Sequence, residues 1–148
     1  MLFKILVILH TLGATIWTGG HLVLALTILP RALRSRDPNL IRDFESGFEG
    51  IGIPSLILQV TTGIWLTLIY LPGFKSLFAF NSYLSIYILI KLVLLLATLI
   101  LAIHARLFII PTLTQENLMA LGYHIIGVTV IAVLFVIIGT GIRLGGIF

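Results

Sequence analysis

The chain has no cysteine, two methionines and five acidic residues among its 148 positions. The first absence removes disulfides, thiolate metal sites and thiol redox chemistry. The shortage of sulfur also counts against a Cu(I) pathway lined by thioethers. Charged residues make up 9% of the chain, where a soluble domain carries about a quarter. Apolar residues take their place, at 59% of the sequence and a mean hydropathy of +1.22. Water cannot wet such a chain on all sides, so lipid must solvate much of its surface. The net charge of +4 does not call for nucleic acid. The basic residues cluster at the ends of the apolar runs, where they meet lipid headgroups or set topology.

Four apolar runs, 3–29, 52–71, 83–110 and 121–142, reach the roughly 20 residues needed to cross a bilayer core. They predict an all-α integral membrane four-helix bundle, up-down-up-down, as one transmembrane domain over 1–148. The first run is too long for the apolar region of a signal peptide, and "TIWTGGHLVLALTIL" follows "LGA" without a break, so it reads as a retained helix. In the first connection, "DPNLIRDFESGF" predicts a short interfacial helix between spans 1 and 2. Asp37 can cap it, Pro38 suits its first turn, and Leu40, Ile41, Phe44 and Phe48 share one face. Arg31, Arg34, Arg36, Arg42 and Arg106 fall on the side of the first and third connections, against Lys4, Lys75 and Arg143 on the other. By the positive-inside rule both termini lie outside the cytoplasm, in a bacterial inner or thylakoid membrane.

Inside the first run stands "HTLGATIWTGGH", residues 10–21. At about 100° per residue, His10 and His21 differ by only about 20° around a helix axis. Trp17 shares their stripe, with Gly13, Ala14 and Gly20 beside it. Small residues on a membrane helix mark where another body comes close, so the stripe faces inward. The up-down order brings His104 and His124 to the side and depth of His21. His10 stands in the other half, roughly 16 Å away along the axis. On the second span, Gln59, Thr62 and Gly63 form a small, polar face. Lys91 lies several residues inside the third run, where an unpaired charge costs at least a few kcal/mol. Arg106 is near enough to the interface to snorkel.

A single intramembrane histidine is often just a polar group hydrogen-bonded across helices. Three at one depth point to a site. The first choice is haem b, with copper as the alternative: His21 with His104 or His124 as axial imidazoles, Gly13, Gly20 and Gly127 leaving room for the macrocycle, and Arg106 or Arg31 meeting propionates. In the other half, His10 and Lys91 are the residues available to a second haem. That reading implies electron transfer or a haem-dependent oxidoreductase, with a membrane or soluble electron donor or acceptor. The other chemistry is copper, held by imidazoles from three helices. Zinc fits the ligand type, though nothing singles it out. A structural or assembly subunit without cofactor is the third reading, and a homo-oligomer stays open. Hydrolytic catalysis fits poorly, because no carboxylate pair lies within the spans.

Over "LHTLGATIWTGGHLVLALTILPRAL" the chain resembles the CopD family of copper-resistance membrane proteins. It is more distantly similar to HemJ, the membrane protoporphyrinogen oxidase. The His10–Trp17 spacing, the "LPRAL" that closes the first run, Lys91 and His104 carry the likeness. The resemblance implies a four-helix core with intramembrane histidines. HemJ-like members imply haem b with His10 as a ligand and Lys91 in the site, whereas CopD implies copper uptake. "WTGGHL" departs from the HemJ pattern, and His21 and His124 are more at home among CopD-like chains.

Overall fold

The computed structural model describes residues 1–146 except 72, 79 and 81. The four long helices are α1 (Leu2–Ser35), α2 (Asn39–Tyr70), α4 (Tyr83–Ile109) and α5 (Leu118–Leu144), each long and apolar enough to cross a membrane. A one-turn helix, α3 (Phe74–Leu77), lies in the second connection. No strand occurs among the described residues, and the chain is an all-α, integral membrane bundle.

Two of the spans widen into a π turn, Leu24–Ile28 in α1 and Ala105–Ile109 in α4. In each, the residue after the turn donates its N–H five residues back, Leu29 to Leu24 and Ile110 to Ala105. In each, the next residue is a proline, Pro30 or Pro111. Proline has no N–H, and its ring crowds the carbonyl four residues earlier. A wider turn just before it removes that crowding. Arg36 then ends α1 in the left-handed region at φ 53°, and Asp37 accepts the Asn39 N–H at 3.0 Å.

The expected interfacial helix is not a separate element. It forms the first turns of α2, which runs unbroken through Pro54 to Tyr70. Local propensity favours a break at "GFEGIGIP", but tertiary packing overrides it. The Phe48 ring sits in a notch between Gly20 and Gly52 and leaves no space for a Cβ on either. Ile41 is completely buried, and Leu40 and Phe44 pack beside it. The apolar face read from the sequence therefore turns toward the bundle.

The main buried cluster lies at the end holding the first and third connections. It joins Leu24, Leu29 and Ala32 of α1 to Ile41, Ala105, Ile109, Leu121 and Ile125. Helix α1 packs mainly on α2, α4 on α5, and α1 also on α5. Among the described residues no extensive packing joins α2 to α4. The bundle is thus a chain of packed pairs with an opening between the second and third spans. Leucine, isoleucine and valine side chains such as Leu26, Val93 and Leu107 are exposed outward, as expected where lipid is the solvent.

Candidate functional site

Two cavities, each of about 370 Å³, occupy the opening. Trp17 lines both and stands between their histidines in the chain. The one toward the first and third connections, here the lower cavity, includes Gly20, His21, Glu45, Phe48, Arg106 and His124. The upper cavity includes His10, Gln59, Tyr70, Lys91, Thr98 and Arg143.

The hydrogen bonds decide the histidine tautomers. A carbonyl only accepts, so the ring nitrogen facing one must carry the proton. His21 donates from Nδ1 to the Trp17 carbonyl at 2.9 Å. His124 does the same to Ala120 at 2.9 Å. His10 donates to the Gln59 carbonyl at 2.9 Å, with Thr62 Oγ1 at 3.0 Å from the same nitrogen. Each ring therefore turns an unprotonated Nε2 away from its own anchor. A backbone carbonyl on the far nitrogen is also the usual support of a metal-ligating imidazole.

His124 uses its bare Nε2 to accept a hydrogen bond from His104 Nδ1 at 2.9 Å. The two rings lie nearly parallel, 9° apart in plane, with centroids 4.9 Å apart. Phe108 flanks His104 at 5.4 Å. Of the three histidines expected to converge inside the bundle, these two meet across α4 and α5, with His104 exposed on the outer surface and lining neither cavity. His21 does not join them. It sits against Trp17 at 4.3 Å and Phe48 at 6.3 Å, on the side of α1 that packs on α2. Among the described residues no group of three or more His, Cys, Asp or Glu side chains is placed to share a metal ion. Equal depth brought three imidazoles to one level; helix azimuth separated one of them.

The glycines expected to leave room for a macrocycle are filled by neighbours. Phe48 occupies the space over Gly20. A Cβ on Gly13 would meet the Ser55 carbonyl at 2.9 Å, and one on Gly127 the Leu101 side chain at 3.3 Å. They serve helix–helix contact. Arg106, expected to meet a propionate, pairs with Glu49 at 2.8 Å. Glu49, which reads from the sequence as solvated, thereby ties α2 to α4 across the opening.

In the upper cavity the His10 ring lies over Gly63, where a Cβ would come within 3.0 Å of it. The Lys91 ammonium approaches Gly139, 3.4 Å from where a Cβ would stand. No hydrogen bond or ion pair holds Lys91 among the described residues. Lys91 and Arg143 are close enough to act on each other's charge, and both act on His10. The Gln59 Oε1 is buried without a donor. Arg143 and Phe48 were not legible as site residues: the first reads as a topology marker, the second as part of an interfacial face.

The model of copper resistance protein D (CopD) matches residues 42–142. That stretch holds Lys91, His104, Arg106 and His124 and begins after His10 and His21. No curated protein and no solved structure matches. With well over half of its length matched, the chain belongs to the copper resistance protein D family.

Proposed function

We propose that this protein handles copper within the membrane, with the ion as cargo bound between His104 and His124. One observation carries the reading: two imidazole nitrogens from neighbouring spans point at each other 2.9 Å apart. A proton now lies between them. Metal–imidazole bonds are about 2.0–2.1 Å, so a two-coordinate ion needs the nitrogens about 4 Å apart. Parting the rings by about 1 Å, with the His104 proton moved from Nδ1 to its Nε2, would leave two facing lone pairs for Cu(I). His124 is already held by the Ala120 carbonyl, so its lone pair needs no reorientation. Imidazole suits copper, and two ligands without a carboxylate or a third imidazole suit the monovalent ion better than zinc.

Charge supports the same end of the bundle. All five acidic residues and five of the nine basic ones lie there, so it is balanced; the other end holds four cations and no acidic side chain. A copper ion is repelled less where the histidine pair stands. By the positive-inside rule this end faces the cytoplasm and both termini face outward, in a bacterial inner or thylakoid membrane.

Haem b is the second reading, favoured by one observation: His21 and His124 line the same cavity with Arg106. It has less support, because Phe48 fills the notch at Gly20 and Arg106 is engaged by Glu49. It would bring electron transfer, with a donor or acceptor outside this chain. A subunit without cofactor is the third.

The deciding experiment is a Cu(I) titration of the detergent-purified protein against a chromophoric chelator, alongside a reduced-minus-oxidised spectrum. Copper handling predicts one ion per chain, lost in the His104→Ala and His124→Ala variants and kept in His10→Ala. Binding unchanged in the His104→Ala, His124→Ala double variant overturns the assignment. A sharp reduced α band that fades in His21→Ala establishes haem instead.

A further inference from the structure

The upper cavity has a chemistry that copper does not use. Lys91 sits about eight residues, roughly 12 Å, inside the third span, without a partner among the described residues. An unpaired charge at that depth costs several kcal/mol unless something compensates it. No acidic side chain is able to do so, because Asp37, Asp43, Glu45, Glu49 and Glu116 all lie at the opposite end of the bundle. Arg143 adds a second cation to the same wall. Gln59 contributes a buried amide oxygen with no donor among the described residues, an acceptor that a water hydrating a ligand head can satisfy.

The rest of the lining is mostly apolar, from Val7, Leu56, Ile88 and Leu95 to Phe135. The cavity opens between α2 and α4, the two spans that do not pack extensively on each other. Its approach is therefore lateral, from the bilayer. Cations at one end, an apolar wall below them and a side door to lipid together define the complement of an amphiphile.

We propose that the upper cavity binds a long-chain amphiphile with an anionic head, a carboxylate or phosphate, which enters between α2 and α4. The head lies between Lys91 and Arg143, and the chain runs down toward Trp17. Trp17 is seven residues deeper than His10, roughly 10 Å, within reach of the middle of an acyl chain. The same charges repel a copper ion, so this site is separate from the histidine pair and does not depend on the copper reading.

The test uses Trp17 as reporter. Trp65 is 47% exposed on the outer surface, so the full chain is prepared as the Trp65→Phe variant in non-ionic detergent. It is titrated with 9,10-dibromostearate at mildly alkaline pH. Saturable quenching of Trp17 is expected, with half-saturation raised about tenfold in Lys91→Gln, as for loss of one charge-assisted hydrogen bond. Lys91→Arg keeps the affinity. The methyl ester of the same acid quenches without saturating, and excess acetate or inorganic phosphate does not displace the acid. Ligand-free Lys91→Gln melts no lower than its parent, since it loses an uncompensated charge. If it does melt lower, Arg143→Gln, at an exposed position, carries the same comparison. Equal quenching by acid and ester, or equal affinity in both charge variants, overturns the site. Displacement by acetate or phosphate overturns the lipid source and leaves a small-anion site.

Discussion

His104 donates from Nδ1 to Nε2 of His124 at 2.9 Å, joining the third span to the fourth through a single shared proton. His124 in turn donates to the Ala120 carbonyl at 2.9 Å. The pair is a short relay whose outer nitrogen, His104 Nε2, has no donor among the described residues and can accept. The shared proton can shift to that outer nitrogen when a metal ion enters, whereas an added proton takes up a lone pair the ion needs, which makes copper binding by this pair sensitive to acid.

From that competition, lowering the pH weakens Cu(I) binding. An imidazolium has no lone pair to give, so affinity falls by up to about tenfold per pH unit for each extra proton the ion must displace from the pair. A chelator competition repeated across the histidine range checks it. A profile that stays flat into acid, where imidazoles are protonated, removes imidazole ligation from the mechanism.

Phe48 in the Gly20–Gly52 notch makes its own prediction. Gly20→Ala places a methyl group where the ring stands, and overpacking of this kind costs about 1–3 kcal/mol. Thermal unfolding in detergent should show a lowered midpoint. Combining Gly20→Ala with Phe48→Leu should recover much of the loss, because the smaller side chain vacates the collision.

The anchor of His10 is shared between the Gln59 carbonyl and Thr62. Thr62 Oγ1 also donates to the Leu58 carbonyl at 2.6 Å, so its hydroxyl accepts from the ring. Thr62→Val removes one of two acceptors and leaves the carbonyl in place. The expected cost is about 0.6 kcal/mol, the size of an average interhelical hydrogen bond in a membrane. Equilibrium unfolding in mixed micelles measures it, and a loss above about 2 kcal/mol would assign Thr62 a larger part.

The Arg106–Glu49 pair is the visible link across the opening, yet its side chains are 58% and 40% exposed. Solvent screening limits such a pair to about 1 kcal/mol or less. A double-mutant cycle with Arg106→Gln and Glu49→Gln should return a small coupling that fades with added salt. A large, salt-independent coupling would mean the opening is closed off from solvent.

Parts of the site were legible along the chain. The angular match of His10 and His21 placed both toward the interior, and each lines a cavity. The depth argument put His104 and His124 at one level, and they touch. It could not tell that His21 faces α2 while those two meet across α4 and α5. Depth follows from counting residues at a fixed rise, whereas azimuth between helices depends on which faces pack. Phe48 shows the same limit. Its apolar face was evident, but an interface and a neighbouring helix are equally apolar destinations. Only the facing Gly20 and Gly52 make the second one fit.

Sequence alone determined that the chain crosses a bilayer four times. Apolar runs of that length have no other solvent, and a helix satisfies its backbone within itself. It also determined that every acidic side chain lies at one end. Tertiary structure decided which spans leave a gap, which imidazoles share a proton and which cations face a cavity without a counter-charge. Those outcomes rest on contacts between side chains far apart in the chain, such as Phe48 with Gly20, and no local pattern encodes them.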